Sequence, residues 1–244
     1  MSEMPACELL PKPSVGRTFG AERTVRLGDV DPDGELRLDA IARYLQDIAS
    51  DDALDAGLRN ALGWVVRRTM IRIDHPALVS ERLDLTTFCT GAGRSWAERR
   101  TSLVGQHGAS IEAVSLWVQV DTGTGRPAKL GEDFDKIYGA SADGRIVSSK
   151  LSLPARPPER ALRQPWEFRR ADLDQFGHVN NAAHWAVIEE LLQRGGVPRK
   201  GVGELEYTSP ADADDPSELM TDHDMVWVVA HGRTLTAARW SALD

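Results

Sequence analysis

The chain has 244 residues, with 29 Lys and Arg against 37 Asp and Glu, a formal net charge of −8, 41% hydrophobic residues and 27% charged ones. That length suits one large domain or two small ones, the acidic balance argues against a dedicated nucleic-acid binder, and the composition is globular rather than disordered. No apolar run approaches the ~20 residues of a membrane-spanning helix. Cys7 and Cys89 are too few for a disulfide framework, and the N-terminus shows no basic stretch leading into an apolar core. A cytoplasmic protein is therefore expected.

Residues 1–16, with Pro5, Pro11 and Pro13, read as a flexible lead-in. Ile41, Tyr44, Leu45 and Ile48 recur at helical spacing, so a helix is expected between Asp39 and Leu58, with Asp39 as N-cap and Gly57 as its stop. Strand patterns follow at 64–66, 70–73, 83–89, 96–104 and 113–120, separated by turn residues. Gly91, Ala92 and Gly93 lie between two of these strands and open no helix, so they are not a phosphate loop. Residues 139–165, with Pro154, Pro157 and Pro158, read as a linker. Beyond it, Ala183, Val187, Ile188 and Leu191 predict a second helix over 181–193, ended by Gly195 and Gly196. Strands are expected at 202–207, 225–230 and 235–240. The chain thus divides into units at 17–138 and 166–244.

The two units look like copies. GDVDPDGEL (28–36) aligns without a gap on ADLDQFGHV (171–179), matching Asp29 to Asp172, Asp31 to Asp174 and Gly34 to Gly177. AVSLWVQVD (113–121) then resembles TAARWSALD (236–244) in the same order. Each copy reads as a strand, a D-x-D-x-x-G turn, one helix and then several antiparallel strands, about five strands in all, an α+β arrangement of sheet wrapped on helix.

The stretch DLDQFGHVNNAAHWAVIEE (172–190) resembles the hotdog-fold thioesterases, in which such a turn leads into the long central helix. Residues 25–58, 64–88 and 110–130, including WVVRR and SLWVQVD, resemble the acyl-acyl-carrier-protein thioesterases of plants and bacteria. The resemblance covers roughly residues 19–210. It implies a double hotdog, with antiparallel sheets around two central helices, and hydrolysis of a fatty acyl thioester on acyl carrier protein. Two positions depart from the plant pattern: Phe176 stands where a side-chain amide is usual, and Pro210 and Ala211 replace a Glu-Cys pair.

The chemistry such a site needs selects candidates. Asp174 is placed as general base or nucleophile. His178 would protonate the departing thiol or bond the carbonyl. Asn180 would orient water or cap the helix, and the resemblance implies that Glu190, or Glu189 beside it, could be the central-helix Glu on which shorter bacterial hotdog thioesterases rely in place of the Asp. Gly177 and Val179 offer backbone N–H groups for the oxyanion. The first copy carries Glu35, Leu36 and Arg37 where the second has His178, Val179 and Asn180, so it reads as a degenerate site. Its helix and strands would wall the acyl chain, through Tyr44, Leu45, Ile48 and Met70. His184 reads as packing.

Other chemistries find no support. The acidic run 212–224 lacks the EF-hand glycine, the histidines show no zinc spacing, and there is no G-x-S-x-G. No cofactor or metal is expected. The partner implied by the resemblance is acyl carrier protein, itself acidic, so a local basic face is required: Arg67 and Arg68, Arg99 and Arg100, Arg169 and Arg170, or Arg199 and Lys200. Coenzyme A is the alternative carrier, and a non-catalytic acyl-thioester binder the alternative class. Paired copies within one chain suit a monomer as well as a homodimer.

Overall fold

The computed structural model describes residues 9–58, 63–212, 214 and 216–243. Cys7 lies outside them, as does Asp244 at the end of the second repeat match. In chain order the elements are β1 (Thr18–Thr24), α1 (Leu38–Asp55), β2 (Trp64–His75), β3 (Arg82–Ala92), β4 (Trp96–Gly105), β5 (Ser110–Gln119), α2 (Glu132–Ala142), β6 (Leu162–Trp166), α3 (Trp185–Gly195), β7 (Gly201–Tyr207), β8 (Ser217–Asp222), β9 (Met225–Ala230) and β10 (Arg233–Ala242). A short 3₁₀ turn over Asn181–His184 runs directly into α3.

Among the described residues, ten strands join one sheet in the order β1-β3-β4-β5-β2-β7-β10-β9-β8-β6. Read outward from its centre, the sheet repeats one five-strand order in each direction, and the seam is the antiparallel pair β2–β7, with Met70 opposite Glu204 and Ile71 opposite Gly203. This is the expected α+β double hotdog. Alternation along the strands sends Ile71, Ile73, Leu83, Leu85, Leu103, Ile111 and Leu205 to the face that packs on α1 and α3, in one continuous core. Trp185 of α3 sits so close to the seam that a Cβ at Gly203 would stand 3.0 Å from its ring, so a bare backbone is required there.

The predicted helices are present, with their starts made differently. Asp39 is not the N-cap of α1. It lies in the first turn, paired with Arg37 and Arg43. The first N–H of the helix, on Leu38, instead donates to Glu189 Oε2 of α3 at 2.9 Å. That carboxylate belongs to a buried cluster: Arg199, 6% exposed, pairs with Glu189 at 2.5 Å, Asp31 at 2.6 Å and Glu35 at 3.1 Å. Burial raises the Asp31 carboxyl, but the Glu35 N–H and the Arg199 guanidinium outweigh it and hold Asp31 below the usual carboxylate range.

Two elements, β8 and α2, were not predicted, and β1 and β6 are the strands expected before each turn without residue bounds. β1, β6 and β8 are short strands rich in polar residues, and β6 contains Pro165. α2 packs Phe134 and Tyr138 against Cys89 and Ala97, and its last residues fall in the stretch read as linker. The remainder of that stretch is strapped to the sheet. Glu206 accepts the N–H groups of Ser152 and Leu153 at 2.6 and 3.1 Å, and Trp227 Nε1 donates to Pro154 O at 2.7 Å.

Removing the cation from the Arg199 cluster leaves three carboxylates buried together. Arg199→Met is expected to lower unfolding stability by about 3–5 kcal/mol near neutral pH, read by urea denaturation. The loss should shrink as the pH falls through the lowered Asp31 value, where that carboxylate protonates. A loss below ~1 kcal/mol would show that the cluster does not hold the two halves together.

Candidate active site

The repeated turns superpose in their bonding as well as their sequence. In the first, Asp31 Oδ1 accepts the N–H groups of Asp33 and Glu35 at 3.0 and 2.9 Å. In the second, Asp174 Oδ1 accepts those of Phe176 and His178 at 2.8 and 3.2 Å. Gly34 and Gly177 both have φ of +81°, a conformation that favours glycine. Short bridges, Val30 to Leu36 and Leu173 to Val179, close each turn.

The two differ at the other carboxylate oxygen. Asp31 Oδ2 is bound to Arg199, while no described residue pairs with Asp174 Oδ2. The first turn is thus locked by a buried cation. The second presents its carboxylate, half-buried, beside an exposed His178 whose ring has no described hydrogen-bond partner.

The other predicted site residues fall as follows. Asn180 caps the second helical run, its Oδ1 accepting the Ala182 N–H at 2.8 Å. Gly177 and Val179 already donate their N–H groups, to Asp174 O at 3.1 Å and Ala211 O at 2.8 Å, so neither is free to hold an oxyanion in this arrangement. Glu190 is not brought to the turn; it pairs with Arg194 at 2.7 Å on the outer flank of α3. Glu189 serves the Arg199 cluster. His184 is buried between Phe168 and Tyr207 at ring distances of 4.8 and 5.7 Å.

A cavity of about 280 Å³ lies in the N-terminal half and reaches the second turn. Its walls are Ala49 and Ala53 of α1, Trp64, Trp117, Ala97 and Phe134, and Gln175, Phe176 and Asn181 border it from the other half. Phe176 is 58% exposed. Of the residues expected to line the chain, none borders this cavity. Ile48 is fully buried in the core, and Leu45 borders a smaller adjoining space. Tyr44 is buried in the core and donates its hydroxyl to Asp29 at 2.7 Å, and Met70 stands on the opposite sheet face from Ile71, away from the helices. The sequence periodicity marks the most apolar stripe of α1, and that stripe packs into the core. The cavity takes the flank of smaller and polar residues next to it, including Gln46 and Ser50.

One wall is charged. Arg99 binds Asp52 at 2.7 Å, Asp52 also receives Arg17 at 2.6 Å and the Tyr138 hydroxyl at 2.9 Å, and Arg99 lies over the Tyr138 ring. Cys89 borders the cavity too, and burial raises its thiol pKa. The basic pairs divide. Arg99 and Arg199 are buried in ion pairs and Arg100 pairs with Glu112, whereas Arg169 and Arg170 are exposed, bound to Asp172 and Asp214. Among the described residues no helix is long and apolar enough to cross a membrane.

Burial lowers the His184 pKa to about 3. A histidine neutral in the fold and protonated when unfolded contributes stability that is full above its unfolded value, near 6.5, and lost as the pH falls toward the folded one. Thermal unfolding should therefore show lower stability at pH 5 than at pH 7, and His184→Phe should shrink that difference. An unchanged difference would place its origin elsewhere.

Residues 16–138 match the acyl-ACP thioesterase N-terminal domain and residues 155–224 the acyl-ACP thioesterase C-terminal domain. An uncharacterised protein of Mycobacterium tuberculosis is 29% identical over 223 residues, 89% of this chain and 88% of its own length. Oleoyl-acyl carrier protein thioesterase 1, chloroplastic, of Arabidopsis thaliana is 23% identical over 84% of this chain and 64% of its own. In fold, the 12:0-ACP thioesterase of Umbellularia californica superposes with a TM-score of 0.75 at 20% identity, over 92% of this chain and 97% of that one. An acyl-ACP thioesterase of Bacteroides thetaiotaomicron gives 0.69 at 18% identity, over 92% and 98%.

Proposed function

Because the chain belongs to the acyl-ACP thioesterase family, and is a hotdog-fold hydrolase of acyl thioesters, we propose that its substrate is a fatty acyl group on acyl carrier protein and that Asp174 starts the reaction. The observation that carries this reading is the cavity of the N-terminal half, which ends at the repeated turn whose carboxylate no cation among the described residues occupies. In this reading residues 17–138 hold the chain and residues 166–244 supply the reacting groups.

The acyl chain lies along Trp64, Trp117, Ala97 and Phe134, where burial of methylenes favours binding by about 0.8 kcal/mol each. Its carbonyl then stands by the Asp174 turn. Two N–H bonds fix one oxygen of Asp174 and with it the rotamer, leaving Oδ2 to take a proton from water as it attacks. His178, exposed beside it, suits proton delivery to the leaving thiol on the solvent side. Asn180 spends its side-chain oxygen on the Ala182 N–H and acts by fixing where the helix starts.

Carrier choice rests on Arg169 and Arg170. They precede the catalytic turn by a few residues, and their ion pairs are exposed, of the kind worth ~0–1 kcal/mol, so exchange for an acidic partner costs little. A helical acidic carrier protein fits them better than a neutral surface would.

Two measurements test this. Asp174→Asn is expected to cut kcat for thiol release by ~10²-fold or more, within the usual range for a positioned acid–base group; near-normal turnover would remove Asp174 from its role. Arg169→Glu with Arg170→Glu should raise KM for acyl-ACP several-fold and leave the same acyl group on coenzyme A unaffected. Equal effects on both, or none, would count against carrier-protein docking there.

A further inference from the structure

The offset of 143 residues that carries Asp31 to Asp174 also carries one 3₁₀ turn, Leu27–Asp29, onto the other, Arg170–Asp172, Gly34 onto Gly177, and the helix start at Leu38 onto Asn181. Applied to the helices, it pairs Gln46 of α1 with Glu189 of α3. In the first half the position of Glu189 is plain: it reaches across from the opposite half to the Leu38 N–H, beside Asp31. The internal two-fold therefore sets Gln46 across from the Asn181 N–H, beside Asp174.

The cavity agrees with the symmetry. Gln46 and Asn181 border it together with Gln175 and Phe176 of the Asp174 turn, and the same two residues meet again in the smaller adjoining space. The Gln46 amide is half-buried and has no hydrogen-bond partner among the described residues. The Asn181 N–H, first in its helical run, has no intrahelical acceptor. The two halves thus hold the same pair of groups in different states. Where Glu189 meets Leu38, Arg199 neutralises the carboxylate and closes the space. Where Gln46 meets Asn181, no described cation binds the neighbouring Asp174 carboxylate and a cavity remains.

We propose that Gln46 completes the active site from the N-terminal half, its amide Nε2 and the Asn181 N–H together receiving the carbonyl oxygen of the thioester. The inference rests on the thioesterase reading and adds the oxyanion donors which Gly177 and Val179, already bonded, do not supply. The step balances without a further reactant. Water adds to the carbonyl carbon as Asp174 takes its proton, and the carbonyl oxygen, now anionic, is held by Gln46 and Asn181. Collapse of the adduct breaks the C–S bond, and the proton leaves with the thiol. A neutral amide suits this position: a second carboxylate there would repel the developing anion, and Asp174 is left as the only acidic group of the pair.

The test is thiol release from acyl-ACP by the full chain, with kcat and KM resolved between pH 5 and 9. Gln46→Ala should lower kcat by ~10²-fold, the usual effect of deleting one oxyanion donor, with KM within about threefold and the melting temperature unchanged. Gln46→Glu should be more active at acid pH, where its protonated carboxyl still donates, and lose activity as that group ionises, a profile a merely structural residue would not produce. Gln46→Ala with kcat within twofold of wild type, or Gln46→Glu with the wild-type pH profile, overturns the role of Gln46 alone. No thiol release by the wild-type chain overturns the thioesterase reading, and the role of Gln46 with it.

Discussion

The pairing of β2 with β7 is the constraint from which the rest follows. It joins two five-stranded units edge to edge, so neither presents an open strand at the seam and the apolar faces of both become one surface. Two central helices must then pack side by side on that surface, and the start of each meets a side chain of the other. The Leu38 N–H finds Glu189 this way, and the Asn181 end lies by Gln46. A site at either helix start is therefore built from both halves of the chain, although the turn that carries the carboxylate comes from one.

Most of the architecture was legible in the sequence because it rests on local signals. Apolar spacing of Ile41, Tyr44, Leu45 and Ile48 marks α1, and the matched D-x-D-x-x-G runs mark equivalent turns whose glycines need the same positive φ. What escaped has non-local causes. The carboxylate that accepts the first N–H of α1 comes from 151 positions away, so Asp39 was the natural but mistaken choice. β6 and β8 pair with each other at the sheet margin, where little burial is needed to hold them and polar residues suffice.

The cavity escaped for a subtler reason. Hydrophobicity identifies what is buried, and on α1 the most apolar stripe is fully used by the core. Space for a ligand requires side chains too small to fill it, so Ala49 and Ala53 mark the lining better than Ile48 does. The same reasoning separates the paired arginines. Arg99 and Arg199 look like surface charges in sequence, and only the folded chain surrounds them with Asp52, or with Glu189 and Asp31.

The covalent fusion of the two units has a consequence beyond geometry. In a symmetric homodimer every substitution appears twice, so a change that improves one site alters its twin identically, and the assembled site is lost on dilution. Here each copy is a separate stretch of the gene product, held against its twin at any concentration. Glu189 and Gln46, or Glu35 and His178, were free to diverge at positions a homodimer would have kept identical. One turn is a salt-bridged brace, and the other carries a carboxylate whose Oδ2 no described residue pairs with, beside a cavity. Two unlike turns thus stand in one chain, an arrangement that symmetry would have forbidden.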